Sequence, residues 1–319
     1  MRETLERILL KTVRLYTFHT PLPKGKYRLY QTALQQCRAA PQKITVKSAD
    51  GRRFEVDLTG GMHDSVFFFG EYEPAVSAVV SSIVRRGDVC LDVGANFGWF
   101  ATLLSGLTGD GGQSAVHAFE PMPDVFDGLK INVRLNDLPD NVFLNNLALG
   151  DEIKRVSLHR FADLPSGHSS LSDMGKEEFQ TFDVPMTTLD SYLAERAVEQ
   201  VDFIKLDIEG AEMMFLRGAT KLFEQPVPPF IIAEMALGTT QGFGYLPNDL
   251  IEFIRRRADY KFYALDETAG VLEEIEGFTP EQIGANVLCV PRNCDARRLE
   301  KLKFRRVEAA DQAFSVSLF

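Results

Sequence analysis

Cysteine is scarce. The four residues Cys37, Cys90, Cys289 and Cys294 are too few for a disulfide framework in 319 residues, and none has the two-residue spacing of a zinc knuckle. Reduced thiols and a cytoplasmic setting are therefore expected. Long apolar runs are also lacking. No stretch reaches the roughly 18 residues that mark a membrane span, and the opening Met1-Arg2-Glu3-Thr4-Leu5-Glu6-Arg7 mixes both signs of charge where a signal peptide would be apolar. Neither anchoring nor export is expected. Positive charge is in deficit: 35 Lys and Arg against 45 Asp and Glu leave a net charge of -10. That balance argues against nucleic acid and anionic membrane as partners and favours a small molecule. The chain carries no internal repeat, and its oligomeric state cannot be read from composition.

Hydrophobic residues make up 45% and charged residues 25%, enough apolar material for a sizeable core. Helical spacing of Leu5, Ile8, Leu9, Val13 and Leu15 stops at Pro21-Leu22-Pro23, and two alternating runs, 43–47 and 53–58, predict a hairpin about Ala49-Asp50-Gly51. Residues 1–73 thus read as an N-terminal helix and β-hairpin extension, too small for a core of its own. From 74 to 292 apolar strands alternate with helical stretches. This predicts an α/β domain with a Rossmann-like, mostly parallel seven-stranded sheet covered by helices on both faces. Its strands are expected near 89–93, 115–120, 142–145, 203–207 and 230–234, with helices at 124–135, 188–198, 211–223 and 247–257. Two late strands near 260–265 and 286–291 are expected to pair antiparallel at one edge. The segment 151–187 breaks the alternation and reads as a binding loop or lid. Residues 293–319, with the basic amphipathic run 297–306, read as a helical tail.

The chemistry concentrates at strand ends. Asp92-Val93-Gly94-Ala95-Asn96-Phe97-Gly98 leaves a buried strand and opens a helix, so Gly94 and Gly98 allow a close backbone approach to a ligand. Glu120 ends the next strand, where a carboxylate can accept hydrogen bonds from both hydroxyls of a ribose. The dinucleotide pattern G-x-G-x-x-G is absent, because Asn96 stands where its second glycine would be. Asp92 and Asn96 suit an amino-acid carboxylate and amine better than a pyrophosphate. A nucleoside with a methionine end, S-adenosylmethionine, fits these groups.

The chain resembles the FkbM family of S-adenosylmethionine-dependent methyltransferases. The resemblance rests on Gly70-Glu71-Tyr72-Glu73-Pro74, the 92–98 segment, Phe119-Glu120-Pro121, Asn132, Ala148-Leu149-Gly150, Leu189-Asp190 and Ile204-Lys205-Leu206-Asp207-Ile208-Glu209-Gly210-Ala211-Glu212. It implies a class I methyltransferase sheet with the cofactor across the first strands. By position, Gly94, Asn96 and Gly98 would wrap the methionine and ribose. Glu120 would hold the ribose, Ala148 with Asn146 and Leu147 would border the adenine, and Glu73 with Tyr72 would close over the methionine end. Ala148 stands where many methyltransferases carry an aspartate for the adenine amino group.

Asp207 is expected near the sulfonium, and Glu212 reads as a first-turn helix carboxylate. An alcohol acceptor must lose a proton, and Glu209, Glu234 and His168 are the candidate bases. Asp207 and Glu234 could instead share a divalent ion, although the metal-free route is preferred. The leading expectation is O-methylation of a sugar, polyketide or similar small molecule. N-methylation, nicotinamide-dependent oxidoreduction and non-catalytic nucleoside binding are the alternatives.

Overall fold

The computed structural model describes residues 2–20, 25–36, 43–58, 62–161, 169–170 and 179–305. Helices α1 (Arg2–His19) and α2 (Lys26–Gln36) precede the hairpin of β1 (Lys43–Lys47) and β2 (Arg53–Asp57). Helices α3 (Met62–Phe69) and α4 (Pro74–Ile83) then lead into the sheet. Its first half alternates β3 (Val89–Val93), α5 (Trp99–Thr108), β4 (Ala115–Phe119), α6 (Pro123–Arg134) and β5 (Val142–Asn145). An arm follows, built from β6 (Ala148–Leu149), β7 (Lys154–Phe161), β8 (Ser169–Ser170) and β9 (Phe179–Thr187). The second half holds α7 (Leu189–Glu195), β10 (Phe203–Leu206), α8 (Glu212–Arg217), β11 (Phe230–Ala236), α9 (Leu237–Thr240) and α10 (Pro247–Arg255). Strands β12 (Tyr260–Asp266), β13 (Val271–Ile275), β14 (Gly284–Pro291) and β15 (Phe304–Arg305) finish the chain.

The main sheet runs β15-β13-β12-β14-β11-β10-β3-β4-β5. The five strands from β11 to β5 are parallel, and β14 inserts antiparallel between β11 and β12. Strands β3, β4 and β10 are buried along their whole length, as their largely apolar runs, each broken by one polar residue (Asp92, His117 and Lys205), require when helices cover both faces. The predicted Rossmann-like fold class is therefore met, with seven strands enlarged to nine by β13 and β15. The late strands do pair antiparallel, yet they lie inside the sheet and not at its edge.

The N-terminal extension shares the core of one face, where Leu10, Val13, Ala33, Val46, Phe54 and Val56 cluster with Val80, Trp99, Phe203 and Ile232. Asn132 of α6 fastens it. Its Oδ1 accepts the Glu55 amide at 2.7 Å and its Nδ2 donates to the Phe97 carbonyl at 2.8 Å, with the side chain only 1% exposed. Asn132→Leu leaves both partners unsatisfied, and we expect it to cost about 2 kcal/mol. Urea denaturation checks this, and a loss below about 0.5 kcal/mol would mean the fastening carries no weight.

Three local expectations change. The 211–223 helix stops at Arg217 and resumes as a 3-10 turn, Thr220–Glu224. Gly218 lies so close to the Gly150 carbonyl that a Cβ would sit 1.9 Å from its oxygen, and this contact bends the chain there. The 151–187 segment is a β-arm over its described residues, with β7 and β9 antiparallel. Between 293 and 305 the tail's only helical piece is a short 3-10 turn, Ala296–Arg298, and it holds no α-helix. Arg298 forks onto Asp88 at 2.5 and 2.7 Å, Arg305 pairs with Glu273 and Asp266, and Phe304 packs on Tyr263, so the chain extends as β15 along β13. Among the described residues no helix is long and apolar enough to cross a membrane.

Candidate functional site

Strand order reverses between β3 and β10, since β4 and β5 continue on one side and β11 on the other. In such sheets a crevice opens beyond the carboxyl ends of the strands at this point. A cleft of about 250 Å³ lies there.

Its floor is the turn after β3. The Gly94 and Ala95 amides donate to the Phe119 carbonyl at 3.1 and 2.9 Å, tying the turn to β4. Gly94 has φ +87°, and a Cβ on it would stand 1.8 Å from the Asp207 carbonyl oxygen. This glycine is thus required by a neighbouring strand end as well as by any ligand. The tip of β4 touches the same turn, because Glu120 accepts the Asn96 amide on Oε2 at 3.0 Å and the Met122 amide on Oε1 at 2.9 Å. Each carboxylate oxygen keeps a lone pair for a ligand. Burial raises the Glu120 pKa to about 7 against those amide bonds.

Beyond Glu120 the wall is apolar, formed by Phe119, Pro121, Leu147, Ala148, Leu149 and Leu158 of the β-arm. The opposite end is charged. Tyr72 and Glu73 close it from the segment before α4, and Lys205, Asp207, Glu209 and Glu234 come from β10, the following turn and β11. Lys205 is 2% exposed, with its Nζ 2.8 Å from Asp207 Oδ2 and 3.8 Å from Glu73 Oε2, over the Phe100 ring. Burial disfavours the ammonium, but Asp207 and Glu73 outweigh burial and its pKa is raised.

Burial, then the charges of Asp207 and Glu212, raise Glu209 to about 8. Burial, then Asp207 and Glu209, raise Glu234 to about 9. Four non-glycine residues among those described have positive φ, and three of them, Glu73, Asn96 and Glu209, line this cleft. Glu212 braces the Glu209 turn by accepting the Ile208 and Gly210 amides at 3.1 and 3.3 Å, and Tyr245 bonds to its other oxygen.

Of the residues singled out from sequence, Glu73, Gly94, Asn96, Glu120, Ala148, Asp207, Glu209 and Glu234 line one cleft. Asp92 and Gly98 stand behind its wall. Asp92 is 1% exposed, neither of its oxygens meets a donor in hydrogen-bond geometry, and burial lifts its pKa to about 7. Gly98 stands just before α5 as its N-cap, and a Cβ there would meet Leu129, not the cleft. His168 lies outside the described residues.

Among the described residues no group of three or more His, Cys, Asp or Glu is placed to hold a metal ion. The pair suggested for a divalent ion, Asp207 and Glu234, has the Lys205 ammonium beside it. Sequence reasoning passed over Lys205 itself. Its signal was a lysine in the middle of the buried strand Phe203–Leu206, where lysine is rare unless paired.

A family profile described as the methyltransferase FkbM domain matches residues 92–262, more than half of the chain. Among curated proteins, the chain is 30% identical to the 31-O-demethyl-FK506 methyltransferase FkbM of Streptomyces tacrolimicus, over 42% of this chain and 60% of that one. It is 28% identical to the hexuronic acid methyltransferase AglP of Haloferax volcanii, over 48% of this chain and 58% of that one. The chain spans about three fifths of the length of these relatives. A solved methyltransferase FkbM from Methylobacillus flagellatus KT aligns with a TM-score of 0.42 and 14% identity, covering 89% of this chain and 59% of that one.

Proposed function

The chain belongs to the FkbM methyltransferase family, and from that premise we propose that it transfers a methyl group from S-adenosylmethionine to a hydroxyl of a small-molecule acceptor. The observation that carries this reading is the joined wall of the cleft. The turn after β3 and the acid at the tip of β4 touch through the 3.0 Å bond between Asn96 and Glu120, so one ligand meets both.

The residues fit such a cofactor. Glu120 keeps acceptor sites for ribose hydroxyls, and the apolar wall from Leu147 to Leu149 with Leu158 suits a purine ring. The carboxylates at the far end complement a sulfonium and an ammonium. When bound, S-adenosylmethionine supplies an electrophilic methyl group on a cationic sulfur. The chain's own work is to hold an acceptor oxygen in line and to receive its proton. Glu209 and Glu234 are the proposed proton acceptors, since both line the cleft; with pKa values raised to about 8 and about 9, each accepts a proton in its ionised form, which a cationic sulfonium nearby favours. Asp207 is committed to the Lys205 ammonium and serves the cofactor end. An amine acceptor is the second reading, favoured by the excess of carboxylates over ammonium at that end.

The test is direct. Isothermal titration with S-adenosylmethionine, its demethylated product and NAD, followed by transfer from methyl-labelled cofactor to panels of alcohols and amines, separates the readings. Binding of NAD alone would end the methyltransferase proposal, and label on amines alone would replace O- by N-methylation. Glu120→Ala should weaken cofactor binding by about 1–3 kcal/mol through lost charge-assisted hydrogen bonds. Unchanged affinity would remove this residue from the ribose site.

A further inference from the structure

Five carboxylates line the cleft, at Glu73, Glu120, Asp207, Glu209 and Glu234. An amino-acid ligand brings a carboxylate of its own to this wall, and every lining carboxyl that is ionised opposes it. Among the described lining residues a single cation is available, Lys205. Its ammonium has three N–H donors, and Asp207 takes one at 2.8 Å. Glu73 Oε2, at 3.8 Å, lies beyond hydrogen-bond length. Burial of the stem and contact with the Phe100 ring fix the ammonium in place, so a partner meets it without further ordering of the side chain.

Lys205 of β10 and Asp207, just past the end of that strand, present opposite charges 2.8 Å apart at the charged end of the cleft. A zwitterion carries the same two charges in the same proximity. Laid against this pair head to tail, each of its groups meets its opposite. We propose that the Lys205–Asp207 ion pair is the recognition element for the amino-acid end of the cofactor, with Lys205 taking the α-carboxylate and Asp207 the α-ammonium. The assignment rests on the S-adenosylmethionine reading above. It gives Lys205 a contact with ligand as well as with its own chain. The neighbours that hold the ammonium charged, Asp207 and Glu73, also raise its pKa, so it remains a fixed cation and does not act as a base.

The ligand pair that tests this is S-adenosylmethionine and its decarboxylated analogue, which share the sulfonium, the amine and the nucleoside and differ in the carboxylate alone. By calorimetry the unaltered protein should bind the analogue about tenfold to a hundredfold more weakly, the value of a charge-assisted hydrogen bond. In Lys205→Met, affinity for S-adenosylmethionine should fall to that of the analogue, while affinity for the analogue changes by less than about threefold. Lys205→Arg should keep the preference. Equal binding of the two ligands by the unaltered protein overturns the proposal, and so does a preference retained in Lys205→Met. If Lys205→Met does not fold, Lys205→Gln with the same two ligands decides in the same way, and the ratio in the unaltered protein is independent of any variant. Failure of every adenosyl ligand to bind the unaltered protein would strike the cofactor reading instead.

Discussion

Gly94→Ala should abolish cofactor binding and destabilise the protein by at least about 3 kcal/mol. Two costs add. At φ +87° an alanine pays about 1–2 kcal/mol for the left-handed conformation. Its Cβ would also stand 1.8 Å from the Asp207 carbonyl oxygen and 3.2 Å from Ile208 Cγ2. The first of these is backbone at the end of a central strand, which cannot swing aside as a side-chain tip does. Relief requires the β3 turn and the β10 end to separate, and those are the two walls of the cleft. Gly98→Ala is the control. It shares a positive φ, +92°, but its Cβ would meet only the Leu129 side-chain end at 2.6 Å, and the residue lies behind the wall. It should cost less stability and leave binding within a few-fold. Urea denaturation and calorimetry on both variants read the two effects. Equal behaviour would show that the approach of the two strands does not matter.

The second large effect concerns pH. Between pH 6 and pH 9 the ligand-free protein should lose stability, by an amount of the order of 3 kcal/mol. Glu234 has its pKa raised to about 9, Glu209 to about 8, and Asp92, Glu120 and Glu212 to about 7, in each case first by burial. Unfolded carboxyls titrate near 4. The native state therefore holds protons through this window that the unfolded chain has already released. Stability from this source is complete below the unfolded values and drains away as pH rises through the folded ones. Cationic cofactor offsets the repulsion among the ionised groups, so its protective effect should be larger at pH 8 than at pH 6. Denaturation midpoints measured across the range with and without S-adenosylmethionine check both statements. A flat or rising profile in the ligand-free protein would contradict the first.

The central strands were legible because a parallel strand covered on both faces must be apolar throughout, and Val89–Val93 and Phe203–Leu206 nearly are. The glycine turn and Glu120 were legible because strand ends at an order reversal face a crevice. Which side of the wall a residue occupies was not. Asp92 and Gly98 share a motif with Gly94 and Asn96, and only three-dimensional packing puts the first two behind it. Several family-like pieces turn out to serve architecture. Asn132 fastens the hairpin, Gly150 makes room against Gly218, and Asp190 accepts the Thr220 and Lys221 amides. The tail was misread for another reason. A local amphipathic pattern cannot reveal that Asp88, Asp266 and Glu273, distant in sequence, claim its arginines.

The three left-handed residues around the cleft, Glu73, Asn96 and Glu209, have a practical consequence for anyone engineering the protein. Each costs of the order of 1 kcal/mol that the remainder of the fold absorbs. A search for heat-resistant variants will be drawn to these positions, because a glycine there relieves the backbone at once. Every such gain would come from the rim of the proposed ligand cleft, so hardiness and ligand binding would be selected in opposite directions.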